Sequence, residues 1–274
     1  MKNPYIPIPV KVEKITVEAG DKTLKTFDLT FVHGKQKFSY LPGQFCELSI
    51  LGKGEAPFGI ASSPTEDGLK FTVNRLGLVT TALHYLEEGE TIGIRGPLGN
   101  YYPVEKFKGK NVVIVGGGFA FTTLRALTIY LLSKRGDYGD ITVIYGARTP
   151  DLLLYKDDLE EWEKRSDINL VQTIDREVKG WNKRVGFVPA VTKEVAPSSK
   201  DAYAVVCGPP IMIKFTLPVL QELGFNPDRI ITSLEMRMKC GIGKCGRCNI
   251  GSKYVCVDGP VFSFAQLEKM PEEY

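Results

Sequence analysis

The chain has no excess of one charge. Its 274 residues carry 35 Lys and Arg against 32 Asp and Glu, a formal net charge of +3. So even a balance leaves no electrostatic footprint for a nucleic-acid partner. An apolar leader is also missing: "MKNPYIPIPVKVEKITVEAG" has no h-region and is broken by prolines. A cytoplasmic, reducing compartment is therefore expected, and a disulfide framework is not. Long hydrophobic runs are lacking, with one exception, "VVIVGGGFAFTTLRALTIYLL" at 112–132. It is long enough to span a bilayer. It also contains Arg125, and consecutive glycines follow a short β-branched run. A buried strand, a tight turn and a helix explain it better than membrane insertion. Internal repeats and low-complexity segments are absent. What is present is ordinary globular material, 43% hydrophobic and 24% charged, long enough to bury a core without staples.

The first hundred residues read as short, partly alternating strands: "VKVEKITVEA", "KTFDLTFV", "FCELSI", "KFTVNRL" and "TIGIRG". Turn signals separate them, so a small antiparallel barrel or sandwich is expected. "TTALHYLEEG", Thr80 to Gly89, reads as a helix stopped by Gly89. From "NVVIVGGG" onward the pattern changes to apolar strands without alternation, interleaved with helical segments. "DITVIYGA", "INLVQTID" and "AYAVVCGPP" are the later strands. Between them lie "LLLYKDDLEEWEKR" and "FVPAVTKEVA", and after them "IMIKFTLPVLQELG", where Pro218 predicts a kink or break. Alternating strand and helix predicts a parallel, doubly wound sheet. "RIITSLEMRM" predicts a last strand before an irregular tail.

That tail holds four of the six cysteines, spaced Cys240-x4-Cys245-x2-Cys248-x7-Cys256. Structural zinc, a redox disulfide and an iron–sulfur cluster compete for such a group. A zinc ribbon usually has two C-x2-C knuckles, and only Cys245 and Cys248 form one. The C-x4-C-x2-C core with one further cysteine matches the plant-type [2Fe–2S] pattern. Gly241, Gly243 and Gly246 would let the backbone approach sulfur and take positive φ. Backbone N–H groups could then hydrogen-bond the thiolates. Arg237, Lys239, Lys244, Arg247 and Lys253 crowd the same stretch, either as a solvated surface or as compensation for cluster charge. Cys46 is expected to be a small buried hydrophobe on its strand.

"VVIVGGGFAF" has the strand–glycine–helix form of a dinucleotide turn, with Phe121 where the third glycine would fall. Thr122 and Thr123 could add hydroxyls at the pyrophosphate. No acidic residue stands where an adenosine 2′-hydroxyl would be gripped, whereas Arg148 and Thr149 stand near that position. Arg148 could hold a 2′-phosphate or be a surface arginine. Cys207, Gly208 and Pro209 close the fourth strand of this part, at the edge where ligands of open parallel sheets bind.

In order along the chain, "LPGQF", "APFGIASSP", "RLGLVTTAL", "RGPLGNYYP", "VVIVGGG" and "VVCGPP" resemble the motifs of the ferredoxin–NADP reductase superfamily. With the cysteine tail, the whole chain resembles one branch of it. That branch holds electron-transfer subunits of dihydroorotate dehydrogenase, hydrogenase gamma subunits and anaerobic sulfite reductase subunits. The resemblance implies a β-barrel FAD-binding domain (1–106), a doubly wound α/β NAD(P)-binding domain (107–228) and a [2Fe–2S] module (229–274). By position, Phe58 would stack near the flavin ring, with the backbone from Gly59 through Ile60, Ala61 and Ser62 facing it. Arg75 would add a flavin contact, and Gly77, Val79, Thr80 and Thr81 would hold the pyrophosphate. Gly117, Gly118, Cys207, Gly208 and Pro209 would border the nicotinamide nucleotide. Cys240, Cys245, Cys248 and Cys256 would hold the cluster.

Two stretches depart from the family pattern. Ala56, Phe58 and Gly59 replace its arginine and Tyr-Ser pair, and Ala120-Phe121-Thr122-Thr123 replaces its Gly-x-Ala-Pro continuation. The resemblance implies an oxidoreductase subunit passing electrons between NAD(P)H, FAD, the cluster and a hydrogenase- or reductase-type partner. No side chain need act as acid or base. The alternatives are an FAD/[2Fe–2S] subunit without a nucleotide site, and a zinc-stabilised binding module.

Overall fold

The computed structural model describes residues 3–34 and 38–271. Six strands form the first unit: β1 (Ile8–Val17), β2 (Leu24–Phe31), β3 (Phe45–Ile50), β4 (Gly54–Gly59), β5 (Leu69–Asn74) and β6 (Thr91–Leu98). They make an antiparallel, barrel-like sheet in the order β4-β3-β6-β1-β2-β5. Period-two patterning builds it: Val10 and Val12 on β1 are fully buried, while Lys11 and Glu13 between and beyond them face solvent. Phe27, Leu29, Leu48, Phe71 and Ile94 fill the same core. Cys46 is buried there too, and burial raises its thiol pKa far above the ordinary value. β4 contains Pro57, which an edge strand tolerates.

The helix expected over 80–89 lies earlier, as α1 (Leu78–His84). Thr80 Oγ1 accepts from the Gly77 N–H at 2.7 Å and the Leu76 N–H at 3.0 Å, which starts the helix before Thr80. Gly89, at φ +95°, does not cap it; its N–H donates to the Val12 carbonyl at 2.7 Å and turns the chain into β6.

The second unit is β7 (Asn111–Gly117), α2 (Phe121–Ser133), β8 (Ile141–Ala147), α3 (Lys156–Glu163), β9 (Asn169–Ile174), β10 (Arg184–Val185), α4 (Val188–Val195), β11 (Ala202–Cys207), α5 (Pro210–Glu222) and β12 (Ile230–Ser233). The tail adds β13 (Asn249–Ile250), β14 (Lys253–Tyr254), α6 (Val255–Asp258), β15 (Val261–Ser263) and α7 (Phe264–Leu267). One seven-stranded sheet runs β10-β9-β8-β7-β11-β12-β15, parallel except for β15. Cores cover both faces, one from α2 and α3, the other from α4 and α5. That is why its central strands lack alternation. The expected strand over 229–238 shortens to β12; the Leu234 N–H beyond it still donates to the Pro260 carbonyl at 2.9 Å, in register with β15. α5 runs through Pro218 without a break. No helix among the described residues is long and apolar enough to cross a membrane.

Strand order reverses between β7 and β11, which leaves a crevice at their carboxyl ends. Register pairs Cys207 with Gly116, so Gly117, Gly118 and Gly208 meet at that crevice.

Candidate redox site

At the crevice, the glycines have separate reasons. A Cβ on Gly116 would lie 2.5 Å from Phe121 Cδ2. Phe121 is fully buried and stacks on Tyr145, with centroids 3.8 Å apart and planes at 12°. The bulky residue in the glycine fingerprint thus points into the core, away from the crevice. Gly117 and Gly208 both make room for Met212, whose sulfur would lie 2.3 Å and 2.7 Å from Cβ atoms built there. Gly118 alone opens on free space and takes φ +54°. Arg148 is exposed just past β8, and Asp175, whose N–H donates to the Ala147 carbonyl at 3.1 Å, lies beside it. Burial raises the Asp175 pKa against the pull of Arg148 and Arg176.

Thr123 does not point to the expected pyrophosphate position. Its hydroxyl is 3.1 Å from Tyr102 Oη and 3.9 Å from Cys207 Sγ. Its methyl would lie 2.4 Å from a Cβ on Gly59, so only glycine fits there on β4. Cys207 Sγ also reaches the Ser233 carbonyl at 3.9 Å. Burial, partly offset by Thr123, pushes the Cys207 thiol up to about 12. Thr123 thus joins β4 to the end of β11, and Cys207 carries the contact on to the end of β12.

Arg125, two residues further along α2, also crosses the junction. Its side chain is 5% exposed. It donates to the Ala61 carbonyl at 2.9 Å, to both Glu66 oxygens at 3.0 Å, and to Asp158 Oδ2 at 2.5 Å. Tyr155 Oη meets Thr72 Oγ1 at 2.6 Å beneath it. These contacts set the barrel against the parallel sheet.

Among the residues expected to face a flavin, Phe58 is 9% exposed and belongs to the barrel core. Ile60 and Ala61 donate their N–H groups to the Gln44 and Lys70 carbonyls at 3.0 and 2.8 Å. Ser62 Oγ meets Tyr40 Oη at 2.9 Å. Those groups serve the barrel, while the half-buried Gly59 and the Ala61 carbonyl border the other unit. Arg75 and Gly77 are exposed, and Val79, Thr80 and Thr81 are half-buried. The Thr80 hydroxyl closes the turn instead of standing free.

The cysteine loop is arranged around sulfur. The Gly243 N–H donates to Cys256 Sγ at 3.2 Å. The Lys244 and Cys245 N–H groups donate to Cys240 Sγ at 3.2 and 3.4 Å. Gly241 and Gly243 permit this winding at φ +69° and +70°, with Gly246 alike at +74°. Burial raises the Cys240 pKa, but backbone N–H donors led by Ile242 outweigh it and bring the thiol down to about 6. Burial, with Cys248 alongside, pushes Cys256 up to about 12. All four thiols lie on this one loop, and backbone N–H groups point at the sulfurs of Cys240 and Cys256. Among the described residues, no three potential ligands gather closely enough to hold one metal ion. Four thiols on one loop with backbone donors aimed at sulfur fit a two-iron centre.

The cations named from sequence, Arg237, Lys239, Lys244, Arg247 and Lys253, are all exposed. The buried cation at the loop is Arg95, on β6. Its Nη2 donates to the Cys240 carbonyl at 3.1 Å. Glu47, opposite Arg95 on β3, is fully buried with neither carboxyl oxygen partnered. Burial, reinforced by Glu55, pushes its carboxyl up to about 7 against the pull of Arg95. Asn100 fixes the tail from the same segment, donating to the Asp258 and Val261 carbonyls at 2.9 and 2.7 Å.

A barrel packed on a doubly wound sheet, with a cysteine loop against both, defines the architecture of an oxidoreductase-family subunit carrying an iron–sulfur module. Residues 114–217 match the oxidoreductase NAD-binding domain, and residues 235–268 match the iron–sulfur cluster binding domain of dihydroorotate dehydrogenase B. Sulfhydrogenase 1 subunit gamma of Pyrococcus furiosus is 35% identical over 98% of this chain and 94% of its own length. The probable dihydroorotate dehydrogenase B (NAD(+)) electron transfer subunit of Methanocaldococcus jannaschii is 35% identical over 93% of this chain and 89% of its own. Among solved structures, an NADH-dependent reduced ferredoxin-NADP oxidoreductase superposes with a TM-score of 0.76. It is 27% identical, over 99% of this chain and 91% of that one. The chain belongs to the ferredoxin–NADP reductase superfamily, in the branch of sulfhydrogenase gamma and dihydroorotate dehydrogenase electron-transfer subunits.

Proposed function

We propose that this chain is the electron-transfer subunit of a multi-subunit oxidoreductase, linking NAD(P)H, FAD and a [2Fe–2S] cluster to a redox partner subunit. The observation that carries the reading is the Thr123 junction, where β4 and the end of β11 meet and Cys207 reaches the end of β12, from which the chain runs on into the cysteine loop. Relatives named as hydrogenase gamma and dihydroorotate dehydrogenase electron-transfer subunits support a partner of that redox kind.

When bound, FAD exchanges a hydride with the nicotinamide and single electrons with the cluster. The chain's own residues orient the groups. Gly118 leaves the crevice open to the nucleotide, Cys207 and Pro209 border it, and Arg148 faces its adenosine end. Gly59 and Gly77 would border the flavin, and Cys240, Cys245, Cys248 and Cys256 would hold the irons. The divisions at 106 and 228 serve as working domain limits, with β12 and β15 tying the tail to the nucleotide sheet. The reading places the subunit in the cytoplasm.

Anaerobic purification with metal, sulfide and flavin analysis tests it. Iron and acid-labile sulfide in equal amounts, with flavin bands, are expected. Cys256→Ser should remove the cluster's absorption and leave the flavin bands. Zinc without flavin would contradict the proposal.

A further inference from the structure

Arg95 lies 3% exposed at its side chain, on the barrel and not on the loop it touches. Nε donates to Glu55 Oε2 at 2.8 Å and Nη2 to Glu55 Oε1 at 2.6 Å, a two-pronged pair across β3. Nη1 donates to the Pro4 carbonyl at 3.0 Å, and Nη2 also to the Cys240 carbonyl. A guanidinium so enclosed is screened little by salt, unlike the exposed lysines of the loop. Gly241 completes the seat: a Cβ there would lie 2.6 Å from Leu98 Cδ1 and 3.3 Å from Glu47 Oε1. The loop therefore rests its first cysteine directly on a charged cluster of the barrel.

We infer that the Arg95–Glu55 pair is a positioning and potential-setting device for the cluster, holding the Cys240 peptide while the guanidinium, which touches that peptide and is partly offset by the carboxylate, biases the cluster's reduction. The inference rests on the [2Fe–2S] reading of this tail. Reduction adds one electron beside Cys240, so a buried positive charge favours the reduced form and a buried negative charge opposes it. Glu55 moderates Arg95. Removing either member should move the potential, and in opposite directions.

The test is a redox titration of the holoprotein followed by the cluster's electron paramagnetic resonance signal, at low and high salt. Arg95→Gln should lower the midpoint and Glu55→Gln should raise it. Each change should be about tenfold in the reduced-to-oxidised ratio, 59 mV for a one-electron couple. Both shifts should persist at high salt. Shifts of the same sign, or none, overturn the inference, because mere loosening of the loop has no reason to reverse sign between the two variants. If Arg95→Gln retains no cluster, Glu55→Gln alone decides: a raised midpoint supports the inference and an unmoved one overturns it. Wild-type protein without iron and sulfide would instead sink the underlying cluster reading.

Discussion

Phe121 lies flat on Tyr145, 3.8 Å between ring centroids, with its edge filling the space a side chain on Gly116 would need. A residue that breaks the glycine fingerprint thereby leaves the crevice free. The stack buries the ring with the α2 and α3 core, and Gly118 is the turn residue facing open space.

Gly116→Ala should therefore act on stability. Its methyl would meet Phe121 Cδ2 at 2.5 Å and Leu124 Cδ1 at 2.9 Å, deep in the core. Overpacking of this kind costs about 1–3 kcal/mol. Urea denaturation should show the loss; an unchanged midpoint would contradict this packing.

Arg125→Met should be costlier. It strands Glu66 and Asp158 beside a buried junction and frees the Ala61 carbonyl. Breaking a buried pair by removing one partner costs roughly 3–5 kcal/mol. Arg125→Lys keeps the charge but loses the fork, and should fall between. Equal stability of all three proteins would show that the junction does not depend on this guanidinium.

His84 gives the fold an acid-sensitive limb. It is 6% exposed, with Nε2 2.9 Å from the Val73 carbonyl oxygen. Burial lowers its pKa below the ordinary 6.5, against the pull of that carbonyl. The unfolded chain takes up a proton near 6.5 while the folded chain resists, so stability falls as pH drops through that range. Melting temperatures between about pH 7.5 and 5.5 should show the fall, and His84→Gln should reduce it. An identical slope in the variant would contradict the assignment.

Much of this architecture is written locally. β7 and β8 read as covered strands because both faces are buried, and the cysteine spacing with its glycines describes a sulfur-centred loop before any coordinates. Long-range partners are not written so. Nothing near Arg95 announces that residue 240, 145 positions on, will accept its hydrogen bond. "RGPLGNYYP" marks only a junction. Thr123 reads as a phosphate-side hydroxyl because the glycine turn precedes it, but its partners Tyr102 and Cys207 come from other segments. Phe58 reads as a flavin-stacking residue by position, whereas it is the one buried residue of β4 and packs in the barrel core. β15, three residues long, carries too little pattern to be found.

The central claim is that electrons pass between a nicotinamide nucleotide and the cysteine tail within this one chain. Anaerobic titration of the purified holoprotein with NADPH and NADH, following flavin absorbance and the cluster's resonance signal together, tests it most directly. The account predicts that at least one nucleotide bleaches the flavin and brings up the reduced-cluster signal. Protein that dithionite reduces fully but neither nucleotide reduces at all would contradict it, leaving a flavin and iron–sulfur subunit that serves only protein partners.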